Sequence, residues 1–274
     1  MSDDQRDAGL PSWVPEGVDV NVPNAARAYD YLLGGFHNFA VDREFAACIE
    51  RVFPWIRLGA HANRAFLGRA VRWLVGAGIR QFLDIGSGIP TMGNVHEVAE
   101  EATSGVRVMY VDIDPVAVAH ARAVVSEIPW VQVLRADLRR PQEIVNHPDV
   151  TGLLDFSEPV GVLLSAVLDF IPDADDPFGI VAQLKDAVVS GSYFVMSHGT
   201  HVPELAEAYA ALEQMLRQTP TSLHLRSREQ VARLFTGLDL VEPGLVVISD
   251  WHPDPNQGVT EPWPGFLGAV GRKP

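Results

Sequence analysis

Phe82-Leu83-Asp84-Ile85-Gly86-Ser87-Gly88 is the stretch on which the reading of this chain turns. An apolar run ends in an acid and then bends through two glycines. Only glycine takes φ > 0 freely and leaves bare backbone for a ligand to approach. An acid just ahead of such a turn is placed to hold an ammonium group. The pattern recurs one strand later, where residues 106–111 read as a buried strand that ends in Asp112 with Ile113-Asp114-Pro115 behind it. Asp112 follows Gly88 by 24 residues, close to the spacing of about 20 for an acid that holds a ribose. A third strand, over 130–135, runs into Ala136-Asp137-Leu138. Three successive strand ends, each offering a carboxylate, suit an adenosine-type ligand that carries an amine.

The pattern leaves two ligands open, a dinucleotide or S-adenosylmethionine. A dinucleotide fingerprint wants a third glycine where this chain has Thr91. Its pyrophosphate also wants a helix N-terminus against it, whereas Ile89-Pro90 makes a stiff loop and Asp84 repels phosphate. S-adenosylmethionine has no phosphate but offers a ribose diol, an adenine amine and a charged ammonium. The plainer reading, that Asp84 and Asp137 only cap the helices that follow, is available for each acid singly; it fits the ordered set of three less well.

Working outward, strands are expected over 81–84, 106–112, 130–135, 160–165 and 193–198. Helices are expected over 92–103, 115–126, 141–146, 178–188, 203–218 and 227–235, the last with Ser227 as cap and Gln230 three residues on. Such alternation predicts a parallel sheet with helices on both faces. The C-terminal part differs: strands over 245–249 and 266–271 have only a Pro/Gly/Trp-rich loop between them, so they should pair antiparallel, with the last strand beside the fifth. Ahead of the first strand, residues 24–33, 41–53 and 60–75 read as helices, the first ended by Gly34-Gly35. The organisation expected is a loose segment over 1–22, a helical lid over 23–76 and a cofactor-binding domain over 77–274, lid and domain forming one compact unit.

The chain has 274 residues, 47% hydrophobic and 20% charged, with a formal net charge of −14. That acidity disfavours nucleic acid, whose binding needs clustered Lys and Arg. Arg139-Arg140 and the arginines between 226 and 233 read as solvated faces. A single cysteine, Cys48, excludes an internal disulfide and a Cys metal cluster, and no metal site is expected. No apolar run reaches the length of a membrane span, and the polar, acidic first residues lack a signal-peptide core. A cytoplasmic protein, with a small molecule as partner and no membrane association, is the expectation.

With these residues in view, the chain resembles the actinobacterial S-adenosyl methyltransferase family first catalogued as a domain of unknown function. The resemblance is carried by Asn24-Ala-Ala-Arg-Ala-Tyr-Asp-Tyr-Leu-Leu-Gly-Gly, Asn38-Phe-Ala-Val-Asp-Arg43, Ala62-Asn-Arg-Ala-Phe66, residues 82–94 and Ser197-His198-Gly199. It implies the α/β fold of class I methyltransferases: a Rossmann-like, seven-stranded sheet with an antiparallel terminal hairpin and an N-terminal helical lid. It also implies bound S-adenosylmethionine. It names no substrate. One departure stands out: a Leu-His-Phe triplet is expected after the fourth strand, and this chain has Leu168-Asp169-Phe170.

Resemblance and chemistry together assign roles. Asp84, Gly86, Ser87 and Gly88 form the turn under methionine and ribose. Asp112 takes both ribose hydroxyls, since a carboxylate only accepts. Ile113 packs on adenine, Asp137 accepts its amine beside the Leu138 N–H, and Ser165 and Ala166 line the methionine side. Tyr31, Gly34, Gly35, Asn38 and Arg64 are the lid residues expected at the cofactor, Arg64 gripping its carboxylate. His198 and His201 are candidates for a general base, with His37 and Asp169 behind them. Phe36, Phe39, Phe170 and Trp251 are candidates for an aromatic pocket. The reading is a methyltransferase acting on a small molecule, with a non-catalytic cofactor sensor or a nicotinamide oxidoreductase as alternatives.

Overall fold

The structure is a computed structural model that describes residues 14–15, 18–91, 93–216, 223–254 and 264–274. Most of the expected loose N-terminal segment, Met92, Gln218 and most of the hairpin loop lie outside the described residues. Among the described residues three helices come first, α1 (Ala25–Leu32), α2 (Ala40–Val52) and α3 (Ile56–Gly76). An alternating series follows: β1 (Gln81–Ile85), α4 (Val95–Ala102), β2 (Arg107–Asp112), α5 (Pro115–Val124), β3 (Val131–Arg135), α6 (Pro141–Val145), α7 (Pro148–Leu153), β4 (Gly161–Ser165), α8 (Pro177–Ala187) and β5 (Tyr193–Gly199). Then come α9 (Ala206–Leu216), α10 (Arg228–Leu234), β6 (Asp239–Leu240), β7 (Val246–Val247) and β8 (Phe266–Arg272).

Among the described residues the strands form one sheet in the order β3-β2-β1-β4-β5-β8-β6, with β7 also on β8. The first five are mutually parallel. β8 runs antiparallel beside β5, from Tyr193 opposite Arg272 to Gly199 opposite Phe266, and β7 pairs antiparallel with it as expected. The strand expected over 245–249 is cut to Val246–Val247, and β6, which was not expected, brings the count to eight strands where seven were expected. The exposed Asp239 and Leu240 of β6 carry no apolar alternation, so that strand left no mark on the sequence. α7 was also unforeseen, although Pro148 at its first position and a cap by His147 Nδ1 are ordinary start signals.

Successive strand residues point to opposite faces, and the sheet uses this to fill two layers. Leu83, Ile85, Met109, Val111, Val162, Leu164 and Phe194 enter one core, against α6, α7, α8 and α10. Phe82, Val108, Tyr110, Leu163 and Val195 enter the other, against α3, α4 and α5. Trp251 is fully buried in the second layer, its ring edge-on to Phe66 at 5.6 Å. Arg69 fastens that corner by donating to the carbonyls of Trp251 (2.9 Å) and Ile248 (2.6 Å). A third cluster, including Ala28, Leu32, Phe45, Ala60, Leu212 and Leu216, joins α1, α2 and α3 to α9. These four helices therefore pack on one another over the C-terminal ends of the parallel strands, the edge where open α/β sheets bind ligands.

Candidate active site

A cavity of about 530 Å³ opens between the strand ends and the four helices. Its floor is the stretch read first. β1 delivers Asp84, and Gly86 turns the chain at φ +73°. A Cβ on Gly86 would stand 2.2 Å from Val167 Cγ2, so the loop after β4 is packed directly on bare backbone here. Asp112 ties the turn to β2: Oδ2 accepts the Gly88 N–H at 2.7 Å and Oδ1 accepts the Asp114 N–H at 2.9 Å. Asp114 in turn caps α5 through the N–H groups of Val116 and Ala117.

Burial sets the electrostatics. It raises Asp84 to about 7, opposed by the charge of Arg64 and reinforced by Asp112. It raises Asp112 to about 6, opposed by the N–H bonds it accepts. A cation brought beside Asp84 relieves this desolvation, as does a pair of hydroxyl donors on Asp112. Ile113, next to Asp112, is 52% exposed at the cavity, an apolar surface without a cover. Arg64 also lines the cavity, and its guanidinium makes no hydrogen bond among the described residues. An ammonium, a carboxylate, a diol and a flat apolar ring would each meet a fitting partner here, and these are the groups that S-adenosylmethionine carries. The fit is looser at Asp137, whose oxygens already accept Arg139 Nε (3.0 Å) and Nη2 (2.6 Å). Those bonds hold its carboxyl below the usual range. An adenine amine would be a further donor there, beside Leu138 on the same wall.

Ser87, Ser165 and Ala166 also line the cavity. Ala166 is held in the left-handed region at φ 53°, at a cost of about 1 kcal/mol for a residue with a side chain. Its N–H donates to Ser197 Oγ at 3.0 Å. Ser165 and Ser197 converge on Asn63 Oδ1 (3.3 and 2.6 Å), and Asn63 Nδ2 donates to the Tyr29 hydroxyl at 3.2 Å. This chain of bonds fixes α3 and α1 to the ends of β4 and β5. Asn63 and Tyr29 were not singled out from the sequence, although both lie in the segments that carry the family resemblance.

Several expectations need correction. Tyr31, Gly34, Gly35 and Asn38 do not line the cavity. Tyr31 faces away and packs under the Arg57 guanidinium, 5.2 Å from ring centre. Gly35 is required because a Cβ would fall 2.0 Å from Asp30 Oδ1. Asp30 Oδ2 accepts the His37 N–H (2.9 Å) and Asn38 Nδ2 (2.8 Å), so this group builds the loop between α1 and α2. Of the aromatic candidates only Phe170 lines the cavity; Trp251 is core and Phe36 is exposed.

Neither histidine proposed as a base reaches the cavity. His201 is exposed, edge-on to the Tyr209 ring at 5.4 Å. His198 is fully buried, with Arg226 Nη1 at 2.7 Å from its Nε2. Arginine can only donate, so Nε2 accepts and has no lone pair for a substrate. The ring proton then sits on Nδ1, which donates to the Gly199 carbonyl at 2.7 Å and lies 2.8 Å from Asp169 Oδ1. Among the described residues no group of three or more His, Cys, Asp or Glu is placed to hold a metal ion. No helix there is long and apolar enough to cross a membrane.

A model of the S-adenosyl methyltransferase family matches residues 11–274. Two solved structures are similar over nearly their whole length. One is a DUF574 family protein from Streptomyces avermitilis MA-4680, 36% identical, covering 93% of this chain and 99% of its own, with a TM-score of 0.87. The other is a candidate methyltransferase from Thermobifida fusca YX, 38% identical, covering 96% and 99%, with a TM-score of 0.88. PigF, solved with SAH, shares the fold at 18% identity and a TM-score of 0.50, covering 91% of this chain and 63% of its own. No protein with a curated description matches the chain. Matched by the family model from residue 11 to residue 274, and with relatives this similar from end to end, the chain belongs to the S-adenosyl methyltransferase family.

Proposed function

We propose that the protein transfers a methyl group from bound S-adenosylmethionine to a small-molecule acceptor held under the helices α1, α2, α3 and α9. The observation that carries this reading is the joined turn of β1 and β2. Two buried carboxylates with raised affinity for protons stand where a cation and a diol would relieve them. Asp112 accepts the ribose hydroxyls, Asp84 faces the ammonium and Arg64 takes the carboxylate. Ile113 and Leu138 flank the adenine, with Asp137 at its amine. When bound, the cofactor would supply a methyl carbon on positive sulfur, with the neutral thioether as the leaving group for the acceptor's lone pair.

The remaining tasks belong to the chain itself. Methyl transfer needs alignment and dryness more than a catalytic triad. Residues 23–76 act as a lid that closes the cavity through Ala28, Tyr29, Leu32, Phe45, Asn63 and Arg64. The Asn63 bonds to Ser165 and Ser197 keep that lid in register with the strand ends.

Titration calorimetry with S-adenosylhomocysteine tests the assignment. The wild-type protein should bind it, and Asp112→Ala should weaken binding by about 1.5–3 kcal/mol, the usual worth of hydrogen bonds to a charged group. Unchanged affinity in the variant would remove Asp112 from the ribose.

A further inference from the structure

We infer that Asp169 is the catalytic residue that holds the methylated hydroxyl and takes its proton, and that the acceptor is a neutral, mainly apolar molecule of phenol type. The inference rests on the methyltransferase reading above and adds the acceptor to it.

Asp169 lines the cavity from the segment that follows β4 and is only 2% exposed. Its two oxygens are treated unequally. Oδ1 accepts the Gly199 N–H at 2.7 Å and faces the protonated Nδ1 of His198 at 2.8 Å. Oδ2 is buried and has no hydrogen-bond partner. A buried carboxylate oxygen without a donor is costly, and Asp169 borders the cavity, where a ligand's hydroxyl would supply one.

What stands behind Asp169 fits that task. Arg226, 1% exposed, donates through Nη1 to His198 Nε2 and to the Leu168 carbonyl (2.9 Å). Through Nη2 it donates to the Ile171 carbonyl (2.8 Å) and to Asp173 Oδ1 (2.8 Å). The guanidinium therefore clamps the backbone on both sides of Asp169. It also keeps His198 Nε2 an acceptor, so the Nδ1 proton goes to the Gly199 carbonyl at 2.7 Å, with Nδ1 lying 2.8 Å from the carboxylate. Arg226 and His198 are positioning residues. They hold the segment around Asp169 and leave Oδ2 as its unpaired acceptor.

The rest of the cavity specifies the acceptor's character. The helical wall is built by Phe45, Ile49, Phe53, Ile56, Leu212 and Leu216 among others. Arg64 is the only charged side chain that α1, α2, α3 and α9 place there, and it is committed to the cofactor carboxylate. An anionic acceptor would enter this wall without a free counter-charge and beside the carboxylate of Asp169, at high desolvation cost, and a charged group of either sign would have to leave water for an apolar wall. A neutral ring with one hydroxyl meets a mainly apolar helical wall and finds its acceptor at Asp169. The hydroxyl proton passes to Oδ2 while the O–H bonding pair stays on the acceptor oxygen, available for the new bond to carbon. The carboxyl returns its proton to solvent after product leaves.

The test uses 2-naphthol and 2-methoxynaphthalene as probes, titrated by calorimetry into protein saturated with S-adenosylhomocysteine, whose own affinity is measured first. Wild type should prefer the naphthol by at least about ten-fold, because the ether has no proton for Oδ2. Asp169→Asn keeps an acceptor for the Gly199 N–H and puts an NH₂ in place of Oδ2. It should bring the ratio within about two-fold with the S-adenosylhomocysteine affinity unchanged. Equal affinity for the two probes in wild type, or binding of neither, overturns the proposal whether or not the variant folds. A preference that persists in Asp169→Asn overturns it too. Failure of S-adenosylhomocysteine to bind wild type would instead overturn the cofactor reading.

Discussion

Acidification should release the cofactor while the protein stays folded. Burial sets Asp84 at about 7 and Asp112 at about 6. Both must be ionised to meet an ammonium and a diol. Each protonated group multiplies the dissociation constant by one plus the proton concentration over its acid constant. Between pH 8 and pH 5 the two factors together amount to about a thousand-fold, or about 4 kcal/mol. The curve should be flat above about pH 8, steepen below 7 and be steepest below 6 as the second carboxylate joins. Asp84→Asn removes the upper step and leaves about a ten-fold change, owed to Asp112. The assay is calorimetric titration of S-adenosylhomocysteine across that range, with far-ultraviolet circular dichroism at each pH to establish that the fold persists. An affinity constant within about three-fold from pH 8 to pH 5 would refute the assignment of these two carboxylates to cofactor groups.

The same carboxylates should make the ligand-free protein more stable in mild acid. Their native values exceed the usual carboxylate range, so the native state binds protons more tightly than the unfolded chain. Their penalty is largest above about pH 7 and is relieved as pH falls, and Asp30 and Asp42, also raised by burial, add in the same direction. The melting temperature without ligand should be higher at pH 6 than at pH 8, and a fall would contradict the shifts. Gly86→Ala should cost about 1–3 kcal/mol, since it combines a left-handed backbone with a clash against Val167. Val167→Ala in the same chain should return part of that loss in chemical denaturation, and a single variant as stable as wild type would show that the loop simply moves.

The floor of the site was legible because backbone geometry wrote it. Gly86 and Gly88 mark a turn that side chains disfavour, and strand ends fix where Asp84 and Asp112 emerge. The lid was legible as helices but not as a lining. Tyr29 and Tyr31 are two positions apart on α1, about 200° around a helix. Only the packing of α1 on α2, α3 and α9 decides that Tyr29 turns inward and Tyr31 meets Arg57. His198 was misjudged for a similar reason. Its place at the end of β5 was correct, but Arg226 approaches it from 28 residues further on, and no local pattern announces that contact. The replacement of histidine by aspartate at 169 was visible at once. Its meaning required seeing that His198 lies behind it.

The placement of β8 has a consequence for how the protein is made. β5 ends at Gly199, yet the strand that covers its open edge begins at Phe266 and also carries β6 and β7. During synthesis, the five parallel strands leave the ribosome with β5 as an uncovered rim of main-chain donors and acceptors. That rim stays open while all of α9, α10 and the hairpin loop are being added. An uncovered rim is a template for pairing with other chains, and contacts this distant in sequence form slowly. A nascent chain arrested anywhere before residue 266 would be sticky rather than merely incomplete, and its yield should depend on chaperone supply more steeply than that of the finished protein.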